Sequence, residues 1–453
     1  MVQAIRGLDL HGWQPDDPLF LVSSQSQDTP VLFHILVMFP LTEAFSSQLE
    51  SAKTDLHNCI RDHQDLCNRQ RRDLRHAMGG NHGATEKRQE PQDLRVIDVH
   101  TLRVVQRPPG CQYAALSYVW EQPSGDQTQS DPSILGSESS TNNDVPRPID
   151  LGALPTDVAD AIQICAIIGE TYLWVDAVCI FQNDKDDVAT HIVQMDKIYS
   201  GAVVTFVAAT DDDPHEGMPG LRAEYSATQL PLQKALDKTL WSSRGWTYQE
   251  LVLSRRLLFF TSQGIYFHCA GRGHELPSWD LPSIAPRSCW QIYNQSLQIY
   301  TTRHLGHESD TLNAISGVQR VFGRYTDDAF ACGLPMRQLF YAILWQPVDI
   351  AERQPDWPSW SWAGWTGSGQ QLCHVINPVH EAVLDQWGDS AAKQWENGRA
   401  FHSRLENLRF CSEDGDEIPI SLYPDNESRK HYLSYSHGVR RSESRGPATD
   451  RPY

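Results

Sequence analysis

The chain has 453 residues and carries 57 Asp plus Glu against 38 Lys plus Arg, a formal charge of −19. That balance excludes a protein held to nucleic-acid phosphates by its overall charge. Hydrophobic residues make up 40 %, and glycine raises the apolar share to about 46 %, within the ordinary globular range. A packed core is therefore expected, and a wholly disordered or collagen-like chain is not. Length alone suggests about three domains, or one large domain with insertions.

Ten cysteines are scattered without a CxxC pair, which argues against a zinc ribbon and a compact disulfide framework and fits a reducing compartment. The opening MVQAIRGLDLHGW has no secretory pattern, and the most apolar run, Val31 to Leu41, covers about half a bilayer span. A cytoplasmic protein with no membrane span is expected.

Residues 1–40 carry no clear periodicity. From Leu41 to Met78, residues Phe45, Leu49, Ala52, Leu56, Cys59, Ile60, His63 and Cys67 fall at steps of three and four, which predicts an amphipathic helix over 41–78. Cys59, His63 and Cys67 at i, i+4 and i+8 have ligand-like spacing, but with no fourth donor nearby they read as small buried side chains. Gly79 to Gln92 is a polar linker and completes an N-terminal segment, 1–92. Residues 93–270 hold the ordered signals, broken by a Ser/Thr/Asn/Asp-rich insertion at 125–143 with little to bury. Residues 271–435 form a C-terminal region of mixed α/β character, and 436–453 read as a flexible tail.

Within 93–270 the order is strand (Tyr113 to Val119), helix (Pro155 to Ile168, with Gly169 as its stop), strand (Tyr172 to Val175), helix (Asp187 to Ser200) and strand (Val203 to Ala209). Unbroken apolar strands alternating with helices imply a doubly wound α/β core with a parallel sheet. Leu257 to Phe260 and Ile265 to His268 flank TSQG as a hairpin.

Ligands of such sheets bind beyond the carboxyl ends of the strands. That position nominates Ser117, Tyr118 and Trp120 after the first strand, and Asp176 and Gln182 after the second. Asp176 has a plainer reading as the cap of the following turn, and Cys179 reads as buried. In WSSRGWTYQELVL, Glu250 stands out, although Thr247 and Glu250 also have capping-box spacing, with Trp246 and Leu251 as a hydrophobic staple. PDWPSWSWAGWTG packs four tryptophans into nine positions. In an acidic chain that reads as packing rather than base stacking. No GxSxG, GxxxxGK[ST], HExxH or GxGxxG is present.

The blocks YAALSYVW, LPTDVADAIQICAIIGETYLWVDAVCIFQND, HIVQMDKIYSGAVVTFVAA, GMPGL and SSRGWTYQELVLSRRLLFF occur in this order. Together they resemble the fungal heterokaryon incompatibility (HET) domain. Such domains look distantly similar to TIR domains, so the resemblance implies a flavodoxin/TIR-like sheet and, as in some TIR domains, cleavage of NAD. It implies Glu250 as the catalytic residue and Ser117, Tyr118, Trp120, Asp176, Gln182 and Trp246 as substrate contacts, with NAD a substrate rather than a cofactor and no metal. It also implies self-association through the HET domain and a protein partner in non-self recognition leading to cell death. Two positions depart from the family pattern. Glu121 stands where glycine usually follows Trp120, and Phe181 replaces the usual aspartate. A non-enzymatic recognition module with a degenerate pocket is the alternative these departures favour.

Overall fold

A computed structural model describes residues 41–62, 67, 90–119, 145–211, 217–221, 225, 230–237, 239–269, 289–326, 328–336, 342, 345–346 and 351–367, with short strands at 20–22, 35–37, 374–375, 410–411 and 417–418. The insertion 125–143, the linker 79–89, the tail 436–453, Trp120 and Glu121 lie outside the described residues. The chain divides into two compact units, 1–321 and 322–453. No helix among the described residues is long and apolar enough to cross a membrane.

The first unit is an α/β structure built on an eight-stranded sheet. Its strands are β1 (Arg95–Asp98), β2 (Arg103–Gln106), β3 (Ala114–Ser117), β4 (Arg147–Pro148), β5 (Tyr172–Trp174), β6 (Thr205–Ala209), β7 (Arg256–Thr261) and β8 (Gly264–Cys269). Their spatial order is β8-β7-β6-β3-β5-β1-β2-β4. The four central strands β5, β3, β6 and β7 are parallel. Every residue of β3, β6 and β7 is buried; since side chains alternate across a sheet, both faces of these strands are covered. The expected parallel core is present, and β1, β2, β4 and β8 add antiparallel pairings at its flanks. Their sequences lack the continuous apolar run that marks a strand buried on both faces. β2, for example, has Val104 buried while Arg103 and Gln106 are exposed.

Taken in chain order, the parallel strands lie 2-1-3-4, so the connection reverses direction between β3 and β6. Such a reversal opens a crevice at the strand ends. The crossovers carry helices α2 (Thr156–Ile168), α3 (Asp176–Cys179), α4 (Lys185–Ile192), α5 (Met195–Gly201), α6 (Leu232–Leu236), α7 (Leu240–Ser243) and α8 (Gly245–Leu253). Gly169 ends α2 in the left-handed region at φ 92°, where a Cβ would be strained. The single helix expected over Asp187 to Ser200 is two helices. Gln194 sits at the break: its side-chain oxygen accepts the Gln92 N–H at 2.6 Å and its amide donates to Thr190 O at 3.2 Å.

Helix α1 (Glu43–Asp62) buries the expected face, Phe45, Leu49, Ala52, Leu56 and Cys59. Residues 63–66 and 68–78 lie outside the described set, and Cys67 is helical. Helix α1 packs on edge strand β8. Phe45 stacks on Phe260 with centroids 6.1 Å apart, the Gln48 side chain accepts the Ile265 N–H at 2.8 Å, and Lys53 donates to Ile167 O near the end of α2 at 2.8 Å. A helix over an edge strand removes a template for unwanted strand pairing, and a cation near a helix C-terminus is electrostatically favourable.

In the second unit the tryptophan-rich stretch is packing. Trp362 is 1 % exposed and its indole N–H donates to Gly333 O at 3.1 Å. Gly333 has φ +81°, and a Cβ there would lie 2.7 Å from the Trp362 ring. Trp345 donates to Trp360 O at 2.8 Å, and Trp365 to Ser359 O at 2.9 Å.

Because Phe45 is fully buried against the sheet, Phe45→Ala is expected to cost about 3–5 kcal/mol of unfolding free energy. Urea unfolding followed by far-UV circular dichroism checks this. A loss below about 1 kcal/mol would mean that α1 is an appendage rather than part of the core.

Candidate functional site

Ser117 is the last residue of β3, at the strand-order reversal, and is 1 % exposed. Its hydroxyl donates to Glu250 Oε2 at 2.5 Å and accepts the Trp241 indole N–H at 2.7 Å. Trp241 is 0 % exposed and packs edge-on against Phe259, centroids 5.9 Å apart, in a cluster with Val119, Val207, Leu236 and Leu251. The apolar core thus holds an indole, the indole orients a serine, and the serine meets the acid.

Glu250 reaches this point from α8. The helix begins at Gly245, whose N–H donates to His304 O at 2.7 Å, and Arg244 precedes it without a side-chain cap. The capping box is therefore corrected. Thr247 and Glu250 both lie inside the helix, with the Thr247 hydroxyl on Trp241 O at 2.6 Å and Arg244 O at 2.8 Å. The helix entry is fixed by backbone bonds to His304, which leaves the Glu250 carboxyl free for Ser117. The proposed staple fails with it, since Trp246 too lies inside the helix.

Asp176 opens α3 directly after β5. Its Oδ1 accepts the Ala177 N–H at 2.7 Å, so the turn-capping reading describes one oxygen. The carboxyl also interacts with the Tyr118 hydroxyl, with Arg244, and with Glu250. Tyr118 is 8 % exposed and lies in the field of three acids, Asp176, Asp157 and Glu250. Gln182 is exposed, and its amide donates to Asp176 O at 3.0 Å and Ile180 O at 3.3 Å, fastening the backbone of the loop that carries Asp176. Trp246 is half-buried and its indole N–H points to Asp310 at 3.3 Å, a separate engagement from the Ser117–Glu250 contact. Cys179 is fully buried, and burial pushes its thiol up to about 12.

Burial, reinforced by the Asp176 charge, pushes the Glu250 carboxyl up to about 8, against the opposing effects of the Ser117 and Tyr199 hydroxyls and of Arg244. Burial likewise raises Asp176, and it holds the Tyr118 and Tyr199 hydroxyls well above the usual phenol range, the nearby carboxyls adding to the effect. Arg303, lowered to about 10 by desolvation, also lies in the field of Glu250. A buried carboxyl neutral near pH 7 that faces a second acid is poised to ionise when a cation arrives.

The family comparison falls on this ground. The family model described as Heterokaryon incompatibility protein (HET) matches residues 113–250. The chain carries a heterokaryon incompatibility (HET) domain across these residues. The match runs from Tyr113, just before β3, to Glu250. It gives the HET domain a role in heterokaryon incompatibility, a form of non-self recognition. No curated protein and no solved structure matches the chain.

One HET-pattern departure has a structural reason. Phe181 is 9 % exposed, with the Arg95 guanidinium 4.0 Å and that of Arg147 5.3 Å from its ring centroid. The Arg95 side chain also pairs with Asp187 at 2.5 Å and donates to Cys179 O at 2.8 Å. Phe181 therefore supplies a cation–π surface, and its own N–H donates to Asp187 at 2.7 Å.

Sequence reading did not single out Trp241, Tyr199, Arg244 or Arg303. Trp241 had one legible signal: a buried indole needs an acceptor for its N–H. The other three became visible only once the chain was folded.

The raised Glu250 carboxyl has a consequence for stability. The folded state holds this proton more tightly than the unfolded chain, so its contribution is fully present below about pH 4.5 and is lost as pH rises toward 8. Glu250→Gln, which keeps an acceptor for Ser117, is expected to flatten that decline and to be more stable than wild type by a few kcal/mol at pH 9. Urea midpoints from pH 5 to 9 check it; parallel profiles for the two proteins would refute a buried neutral acid. Ser117→Ala is expected to cost about 2–4 kcal/mol, since it strands both the Trp241 N–H and Glu250, as the same unfolding assay reads out.

Proposed function

We propose that the Ser117–Glu250–Asp176 cluster of the HET domain cleaves the bond between nicotinamide and ribose in NAD. The observation that carries the reading is the contact between Ser117, at the end of the first parallel strand, and Glu250 from α8, with Asp176 acting on the same carboxyl. The 2-1-3-4 strand order supports likeness to flavodoxin-like sheets, whose ligands sit at this reversal.

The chemistry asks little of the protein beyond charge. The C–N bond breaks with its electron pair going to nicotinamide, which leaves neutral, and the ribose passes through an oxocarbenium-like state that water captures. A carboxylate about 4 Å from that cation, at an effective dielectric near 20, contributes roughly 4 kcal/mol, or about a thousandfold in rate. Glu250 supplies the charge once ionised, Asp176 adds to the negative field, and Tyr118 forms part of the wall. Self-association of the HET domain completes the pocket, and the output is NAD loss in non-self recognition and cell death.

Purified protein incubated with NAD is expected to release nicotinamide, with Glu250→Gln about a thousandfold slower. The rate at low NAD is expected to rise with pH and level off above about pH 8 as Glu250 ionises. Equal release by wild type and variant, at several protein concentrations, would remove Glu250 from the chemistry.

The 7 % exposure of Glu250, with Oε2 already held by Ser117, favours a second reading. In it the cluster is a structural anchor of a non-enzymatic recognition module. Absence of nicotinamide release from wild type, with the stability effects above intact, supports that reading.

A further inference from the structure

Three thiols, two of them about 200 residues from the third, converge beside the β7–β8 hairpin. Cys59 of α1, Cys67 and Cys269 at the end of β8 are 0, 0 and 1 % exposed, and their sulfurs all lie within 4.8 Å of one another. The Cys59 and Cys67 sulfurs are 3.4 Å apart. Eight residues along a straight helix cover about 12 Å, far more than the separation of these two sulfurs. Of the expected Cys59–His63–Cys67 set, Cys59 and Cys67 are buried, as the sequence reading has them. Cys269, more than 200 residues away in the sequence, joins them, and His63 lies outside the described residues.

Arg256 completes the grouping. It pairs across the hairpin with Cys269, is 2 % exposed, and directs Nε to Cys59 Sγ at 3.1 Å and Nη1 to Val203 O at 3.2 Å. Among the described residues no carboxylate pairs with it. A buried guanidinium without an anion is costly, and three packed neutral thiols offer it only weak acceptors.

A divalent thiophilic cation answers both problems. Binding takes one proton from each of three thiols, giving a metal tris-thiolate of net charge −1 and three released protons, and Arg256 balances that charge. A tetrahedral zinc site with Zn–S of about 2.3 Å holds its sulfurs about 3.8 Å apart, inside the span seen here. A Cys59–Cys67 disulfide would instead be neutral and leave the guanidinium uncompensated.

We propose that Cys59, Cys67 and Cys269 form a zinc thiolate site, charge-balanced by Arg256, that clasps the N-terminal helix to the edge of the HET sheet. The fourth position belongs to water.

The test uses the full chain, purified under reducing conditions with zinc and then dialysed. Elemental analysis is expected to give about one zinc per chain, and cobalt(II) substitution a thiolate-to-metal charge-transfer absorption. Cys269→Ser is expected to weaken zinc binding at least tenfold, while Cys165→Ser, a buried thiol at another place, keeps it. Absence of both retained zinc and the cobalt absorption from wild type overturns the proposal. So does equal zinc in a Cys59/Cys67/Cys269 triple serine variant, or a Cys59–Cys67 disulfide in protein folded with zinc. Should the serine variants not fold, the wild-type cobalt spectrum decides.

Discussion

A carboxyl group buried at the end of a β-strand is the constraint around which the HET domain is arranged. Taking Glu250 out of water is unfavourable unless hydrogen bonds replace those it loses. Ser117 supplies one, but only because Trp241 holds the serine oxygen from the other side. Trp241 is in turn fixed by the apolar side chains between β6, β7 and the α7–α8 segment. An apolar cluster therefore sets the position of a buried acid. The same burial keeps the acid neutral near pH 7, so a charge that a ligand could call on is stored in the folded state as a proton.

Strand order makes this convergence possible. Ser117 lies at the end of β3, which pairs with β5 on one side and β6 on the other. The loop after β5 brings Asp176, and the excursion after β6 brings Trp241, Arg244 and Glu250. Two crossovers thus deliver acids to one rim, with Arg244 close enough to oppose them. At Phe181 an aromatic ring lies against two guanidinium groups while Asp187 takes the polar contacts.

The N-terminal helix belongs to the same unit. Its apolar stripe covers β8, its Gln48 takes a strand N–H, and its Cys59 meets Cys269 and Arg256. Arg256 follows α8 by two residues past Ser254, whose hydroxyl donates to Glu250 O at 2.6 Å. The helix contacts and the acidic rim are thereby joined through one short stretch of backbone, α8 into β7.

The amino-acid sequence determined the elements whose signals are local. The stripe of Phe45, Leu49, Ala52, Leu56 and Cys59 specified a helix, Gly169 specified where α2 stops, and the apolar runs at Ala114, Tyr172 and Thr205 specified strands buried on both faces, because periodicity and backbone conformation are written within a few residues. Glu250 and Asp176 stood out by position and by resemblance, but whether Glu250 capped its own helix or faced another element was undecidable locally, since Thr247 and Glu250 have the same spacing either way. Only the tertiary structure decided that. His304 occupies the helix entry, Ser117 arrives from more than 130 residues away, and the half-polar strand β2 finds a place between β1 and the edge strand β4. The cysteine cluster belongs to the same class: a metal-ligand spacing is legible when donors share a helix or loop, and Cys269 shares neither with Cys59.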